Sequence, residues 1–271
     1  MGRIKDKSNI GVIAMSIYVP RLFIDMREYE TTNNISKNKI TKGLGQKNMS
    51  FVTKNEDSTS MALNALKQLL SNPLAIKAKI KKLEFATETI HDKSKSPKTI
   101  LINLLKPYTN VEGVTNLNAC YGGTAALFNC FDFISTHPGL QAVVVMSDIA
   151  VYDNVTSEPT GGVGAVALLI GEGAGVVMSK QRYSYFKDVY DFYKPKLDTQ
   201  YPIVNGKYSI RMYNEAMWNC WTQFHSNNNV SIVDDFDFYC FHCPFSKMSI
   251  KSFLYLIYRS LKEQHIPTKN N

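Results

Sequence analysis

The stretch NLNACYGGTAALFNC, residues 116–130, sets a cysteine where an extended run stops, and two glycines follow at once. Residues 111–119 have no helical period, whereas Ala125, Ala126, Leu127, Phe128, Phe131 and Ile134 recur at helical spacing. The pattern predicts Cys120 on a tight strand-to-helix turn, at or beside the first helical residue. A helix start leaves backbone N–H groups unpaired and carries partial positive charge, which favours a thiolate. A free cysteine titrates near ~8.5, and helix-end placement lowers that value. The same donors stabilise an oxyanion when a thioester carbonyl is attacked. Gly122 and Gly123 lack Cβ atoms, so a substrate is expected to approach the backbone closely there. The competing reading is a small, inert cysteine buried at a packed turn, as many free cysteines are.

Two other stretches carry groups able to move protons. FATETIHDKSKS, residues 85–96, puts Glu88 at the end of a strand candidate, where a carboxylate can face a cleft. Most glutamates merely solvate a surface. CFHCPFSK, residues 240–247, puts His242 at the end of a second strand candidate, 236–241, followed by Pro244 and Lys247. An isolated histidine is more often a core residue bonded to a backbone carbonyl. Cys240 and Cys243 bracket it in C-x-x-C spacing, but a structural zinc needs four ligands and no second pair lies nearby. In a strand the two cysteines would also point to opposite faces, so no metal site is expected.

The elements that must hold these residues alternate. Residues 10–17 read as a buried strand ended by Pro20, and 58–70 as a helix with Ala62, Ala65, Leu66 and Leu69 on one face. Residues 83–89 and 142–146 are strand candidates, the second ending near Asp148. The apolar tract 161–178 is broken by Glu172 and rich in glycine, too interrupted to span a bilayer. It reads as two buried strands joined as a hairpin by a GEGAG turn. No Gly-Lys-Ser follows its glycines, so it is not a phosphate loop. A tyrosine-rich section, 183–213, shows few regular signals, while 213–224 and 249–264 have helical patterns. Such alternation implies an α/β layered fold.

Composition narrows the partners. The 271 residues suffice for one large domain or two small ones. The net charge is +8, with lysines clustered at 77–82 and 93–98, which fits an anionic partner or a solvated lysine-rich surface. No zinc-finger spacing, arginine-rich arm or aromatic-interleaved basic stripe is present, so no nucleic acid and no membrane are expected as partners. Five cysteines, an odd number, fit a reduced intracellular compartment. The first residues carry Asp6 and a short apolar run soon followed by Pro20 and Arg21, unlike a secretory or mitochondrial leader, so a cytoplasmic location is expected.

ATETIHDKSKSPKT, NACYGGTAALFN, DIAVY with PTGGVGAVALLIG, YDFYKPKLDTQYPIVNGKYSI and FHCPFSK together closely resemble the hydroxymethylglutaryl-CoA synthase family. The resemblance covers almost the whole chain, from IGVIAMSIYVP to the helix after Lys247. It implies a thiolase-like fold of two similar halves in α-β-α-β-α layers. Residues 1–230 would form the N-terminal half with family-specific insertions, and 231–271 the start of a truncated C-terminal half. It implies condensation of acetyl-CoA with acetoacetyl-CoA and water to hydroxymethylglutaryl-CoA and CoA, in the mevalonate route to isoprenoids and sterols. No cofactor is implied beyond these CoA thioester substrates, and a homodimer is expected where the complete fold forms.

Carried over by motif, Cys120 is the nucleophile that takes the acetyl group, Glu88 the general base, and His242 the acid/base partner orienting the acetoacetyl group. Thr160 and Ser209 match substrate-binding positions, and Lys247 and Lys251 match positions that contact CoA. Asp148 and Asp191 match acidic supports near the site. Departures accompany the match. Glu158 stands where the family has arginine, Thr156 replaces an asparagine, and Ser36 and Lys37 replace an Asp-Ala pair that contacts CoA. Against the family, the chain ends after somewhat more than half, without a substrate-contacting asparagine and a serine-glycine turn. The expectation is therefore of a shortened synthase retaining Glu88, Cys120 and His242, marginally stable and weakly active alone. The alternatives are a non-catalytic homologue that binds CoA or a full-length partner, and a ketoacyl-synthase-like enzyme, which would lack the TETIHDKSKS and YDFYKPKLDTQYP matches.

Overall fold

The computed structural model describes residues 9–264; Asp6 and the terminal HIPTKNN lie outside the described residues. In chain order its strands are β1 (Gly11–Tyr18), β2 (Phe23–Asp25), β3 (Asn48–Ser50), β4 (Ile80–Ala86), β5 (Thr115–Asn116), β6 (Gln141–Ala150), β7 (Gly162–Gly171), β8 (Val176–Val177), β9 (Phe192–Tyr193) and β10 (Ile203–Val204). Its α-helices are α1 (Met26–Thr32), α2 (Ser58–Leu70), α3 (Lys98–Leu101), α4 (Gly122–Thr136), α5 (Gly206–Asn228) and α6 (Ser246–Gln264). The chain divides into two compact units. The first comprises residues up to Ile24, Ser50–Ala150 and Gly161–Lys180; the second comprises Asp25–Met49, Val151–Thr160 and residues from Gln181 onward.

The first unit is a six-stranded sheet in the order β5-β4-β6-β7-β1-β8. β4 runs parallel to β5 and β6, whereas β7 is antiparallel to both β6 and β1. Period-two alternation sorts the side chains onto two faces. Leu83, Phe85, Val143, Val145, Ala165, Ala167 and Leu169 pack with Met61, Ala62, Ala65, Leu66 and Leu69 of α2. Ala86, Ala142, Val144 and Ile170 pack instead with Ala126, Cys130, Phe131 and Ile134 of α4. The sheet is thus covered by α2 on one face and α4 on the other. In β1 a bulge between Val12 and Ala14 changes the phase, so Val12 joins the α4 core while Ala14 and Tyr18 join the α2 core.

The start of α2 follows from its cap. Asp57 Oδ1 accepts from the Ser60 N–H at 2.6 Å, and Ser60 Oγ accepts from the Asp57 N–H at 2.8 Å, so two donors at the helix start are satisfied reciprocally. The expected bounds of 58–70 hold at both ends.

Three expectations need correction. β7 and β8 do not form a hairpin: both edges of β7 are taken by β6 and β1, so the chain leaving it adds outside β1 as β8. The two valines of β8 are exposed, not buried. The helix expected over 213–224 runs from Gly206 to Asn228, started by the Asn205 side chain on the Tyr208 N–H (3.2 Å) and stopped by left-handed Asn229 (φ 49°). Finally, residues 236–241 form no strand. The rings of Phe236, Tyr239 and Phe241 go into an aromatic cluster instead, while Phe238 is exposed: Phe236 and Tyr239 lie 5.5 Å apart, and Tyr239 and Phe241 each pack on Phe253, at 4.4 and 5.6 Å. The placement of Cys240 and Cys243 on opposite strand faces falls with it.

In the second unit, α5 and α6 meet through Trp218, Ile232 and Leu256, with the Arg259 guanidinium 4.1 Å from the Trp218 ring. A buried carboxylate, Glu30 of α1, gathers the backbone N–H groups of Asn38, Ile40 and Thr41 at 2.9, 2.7 and 2.9 Å. These bonds hold its carboxyl below the usual range against the opposing effect of burial.

Candidate active site

The parallel strands of the first unit bring their C-terminal ends to one edge, where ligands of open α/β sheets bind. The register pairs Ala86 of β4 with Asn116 of β5 and Met146 of β6. Glu88 follows β4 directly, Cys120 follows β5 after a short turn, and Asp148 lies near the end of β6. The sheet thereby carries Glu88 and Cys120 to the same edge from neighbouring strands, and the Thr87 N–H continues the pairing onto the Asn116 carbonyl at 3.1 Å.

Cys120 occupies a single 3-10 turn, Ala119–Tyr121, immediately before α4. Ala119 has φ +34°, a conformation rare for a residue with a Cβ, and the sharp turn leaves Cys120 exposed. No side chain caps α4 at Tyr121. The glycines serve differently from expectation. An ideal Cβ on Gly122 would meet the Asn116 carbonyl oxygen at 3.4 Å and Ala86 Cβ at 3.6 Å, and one on Gly123 would meet Met146 Sδ at 2.7 Å. Their bare sides face the sheet, so they let the first turn of α4 sit close upon it rather than open the backbone to a ligand.

Around Glu88 the chain is tied to Asp148. One carboxylate oxygen of Asp148 accepts from the Glu88 N–H (2.7 Å), the Thr87 hydroxyl (2.9 Å) and the Thr89 hydroxyl (3.2 Å). The Thr89 carbonyl accepts from Ser58 Oγ at 2.7 Å, linking the segment to the start of α2. Burial, with the charge of Glu88 adding to it, pushes the Asp148 carboxyl up to about 6. These bonds make Asp148 a support for the Glu88 backbone.

A second buried carboxylate was not singled out by motif. Glu84 of β4 is 2% exposed and accepts from Asn116 Nδ2 at 2.7 Å and Asn129 Nδ2 at 3.5 Å. It therefore grips both the strand entering the Cys120 turn and the helix leaving it. The signal in the sequence was a lone glutamate at a covered position of an apolar strand, KKLEFA.

The remaining expected residues lie in the second unit. His242 is exposed, in a segment without regular structure, and its carbonyl accepts from Tyr213 OH at 2.8 Å. Neighbouring protein atoms partly desolvate the charged imidazole and lower its pKa. Thr160 is half-buried, its hydroxyl donating to the Ser157 carbonyl at 2.7 Å. Ser209 lies in the first turn of α5, and Lys247 and Lys251 one turn apart on α6. Glu158, the expected charge reversal, accepts a 2.5 Å bond from Tyr29 OH; burial and this bond push the Tyr29 phenol up. Thr156 is exposed and bonds Asn154 Oδ1 at 2.7 Å, and the Asp191 carbonyl accepts from the Asn205 N–H at 2.8 Å.

Two family models match the chain: "Hydroxymethylglutaryl-coenzyme A synthase N terminal" over residues 6–175 and "Hydroxymethylglutaryl-coenzyme A synthase C terminal" over 176–271. Hydroxymethylglutaryl-CoA synthase B of Dictyostelium discoideum is 41% identical over 265 residues, 94% of this chain and 57% of the relative. The hydroxymethylglutaryl-CoA synthase of Saccharomyces cerevisiae is 39% identical over 269 residues, 94% of this chain and 55% of the relative. Among solved structures, MvaS in complex with 3-hydroxy-3-methylglutaryl coenzyme A is similar with a TM-score of 0.89 and 30% identity, over 97% of this chain and 66% of that one. The expected thiolase-like α/β fold stands with that likeness. The chain spans a little over half the length of these two curated relatives.

Proposed function

Because the chain belongs to the hydroxymethylglutaryl-CoA synthase family, we propose that it condenses acetyl-CoA with acetoacetyl-CoA and water, through an acetyl-cysteine, to hydroxymethylglutaryl-CoA and CoA. The Cys120 thiolate attacks the acetyl-CoA carbonyl and CoA leaves as its thiol, so the acetyl methyl is held beside the second substrate. Glu88 removes a proton from that methyl, and the carbanion attacks the ketone of acetoacetyl-CoA. Glu88 returns that proton to the new alkoxide, and the role proposed for His242 is to orient the acetoacetyl group as acid/base partner. Water then cleaves the enzyme thioester and frees Cys120.

The observation that carries this reading is the register of β4, β5 and β6, which ends Glu88 and the Cys120 turn on one sheet edge. Thr160 and Ser209 would contact substrate, and Lys247 and Lys251 would meet the CoA phosphates, where ammonium groups suit anions. No cofactor beyond the CoA thioesters enters the proposal. The partner proposed is a second copy of the chain in a homodimer, which sedimentation tests. No helix among the described residues is long and apolar enough to cross a membrane. The proposed compartment is the cytoplasm, where the odd number of cysteines, five, fits a reducing medium, and cell fractionation tests it.

The enzymatic test separates the two half-reactions. Acetylation of Cys120 is followed by peptide mass, and product by chromatography of CoA thioesters. Glu88→Ala is expected to retain acetylation and lose condensation by several orders of magnitude, and Cys120→Ser to lose both. Normal condensation by the Glu88 variant would refute the assignment of the base. Binding of CoA with neither half-reaction in the unsubstituted chain would make it the non-catalytic homologue.

A further inference from the structure

We propose that Gln46 is a positioning residue for the nucleotide end of the CoA thioester, joining the start of α6 to the turn that carries Thr160. The inference rests on the reading of Lys247, Lys251 and Thr160 as substrate contacts.

The first N–H groups of a helix have no partners within it. In α6 they are met by a distant segment of chain. The Lys247 N–H donates to the Leu44 carbonyl at 3.0 Å, and the Gln46 side-chain oxygen accepts from Ser246 Oγ at 3.0 Å and the Ser246 N–H at 3.4 Å. Between these two residues, Gly45 adopts φ +75°, and an ideal Cβ there would lie 3.1 Å from Ser246 Cβ and 3.2 Å from Lys247 Cγ. The 44–46 backbone therefore lies flat on the helix start. From the other end of the same carboxamide, Gln46 Nε2 donates to the Pro159 carbonyl at 3.4 Å.

The loop that presents Gln46 is itself anchored. Glu30 holds residues 38, 40 and 41 by three backbone N–H groups, and Tyr29, next to it on α1, bonds Glu158 beside Pro159. One helix thus fixes both the loop and the turn, and Gln46 closes the link between them and α6. With the N–H groups of Ser246 and Lys247 already committed, the anionic end of the ligand meets α6 through the ammonium groups of Lys247 and Lys251. Their aim then depends on how the first turn is seated.

Isothermal titration of the full chain with CoA and with pantetheine, which lacks the nucleotide and its phosphates, tests this. Gln46→Leu is expected to weaken CoA five- to tenfold, about the loss of one or two side-chain hydrogen bonds, and to leave pantetheine within twofold. Adding Ser246→Ala should weaken CoA no further, because both changes break the same bond. Lys247→Ala and Lys251→Ala are measured alongside. If either lysine variant loses CoA affinity while Gln46→Leu binds like the unsubstituted chain, the inference is overturned and the reading of the lysines survives. If both lysine variants bind CoA normally, or the unsubstituted chain does not bind it, the underlying reading fails and the inference with it. Equal weakening of CoA and pantetheine by Gln46→Leu, with a lower melting temperature, would show a general structural role and also overturn it.

Discussion

Replacing Asp148 with asparagine should make the protein more stable at neutral pH and change nothing in acid. The Asp148 carboxyl is pushed from the ordinary 3.8 up to about 6, burial being the larger cause and the nearby charge of Glu88 a smaller one. Between those two values the folded chain holds a proton that the unfolded chain has released. Stability from this group is therefore complete below about pH 4 and is lost as pH rises through about 6. At about 1.4 kcal/mol per pH unit, the gap amounts to roughly 3 kcal/mol. Asparagine keeps an oxygen for the Thr87, Glu88 and Thr89 donors and carries no charge to desolvate. Urea unfolding from pH 4 to pH 7.5 should show the two proteins equal in acid, with Asp148→Asn ahead by up to about 3 kcal/mol at neutrality. A difference that stays constant across the range, or an asparagine variant less stable at pH 7, would refute the reasoning.

Two further outcomes are expected. Gly113 has φ +133° and an ideal Cβ there would lie 1.9 Å from the Leu83 carbonyl oxygen, whereas Gly139, at φ +79°, has nothing within 4 Å of such an atom. Thermal melts should thus show Gly113→Ala losing about 3 kcal/mol or more and Gly139→Ala only about 1 kcal/mol; similar losses would contradict the close approach. Limiting iodoacetamide at pH 7 should label exposed Cys120 first, ahead of exposed Cys240 and Cys243. Cys130, fully buried with its thiol pushed up by that burial, should react only on unfolding. Peptide mapping that finds Cys243 ahead of Cys120 would contradict the helix-start argument.

The placement of Cys120 and Glu88 was legible because it rests on local signals. An extended run stops before Cys120 and the helical pattern of α4 begins just after it. The 83–89 strand pattern runs out around Glu88, although β4 itself spans Ile80–Ala86 and leaves Glu88 just beyond its end. The 58–70 helix was legible for the same reason, with Asp57 and Ser60 marking its start. What pairing and packing decide was not. Glu84 looks like any strand glutamate until β5 and α4 bring Asn116 and Asn129 to it. Residues 236–241 have the aromatic content of a strand, yet Phe236, Tyr239 and Phe241 cluster with one another and with Phe253, and the backbone there pairs with no sheet. Gly122 and Gly123 announced a close approach but not from which side; the sheet beneath, not a ligand above, occupies it. The bonds of Gln46 to segments more than a hundred residues away belong to the same class.

The position of β1 in the sheet has a consequence for biosynthesis. Among the described strands it is the first to leave the ribosome, yet its neighbours are β7 and β8, with Tyr18 paired to Ala165 and Gly11 to both Gly171 and Val177. At elongation rates of about 5–20 residues per second, making the roughly 150 intervening residues takes about 7–30 s. Throughout that interval an apolar strand with both edges unpaired trails outside the exit tunnel, a template for wrong pairings between neighbouring nascent chains. The parallel strands β4 and β6, with α2 and α4, are complete before β7 appears. A core of those four elements can therefore collapse early, and β1 joins the sheet only when β7 inserts between β6 and the waiting β1, with β8 added last. Slowing translation after residue 150 should lengthen the exposed interval and raise the demand for chaperones that hold extended chains.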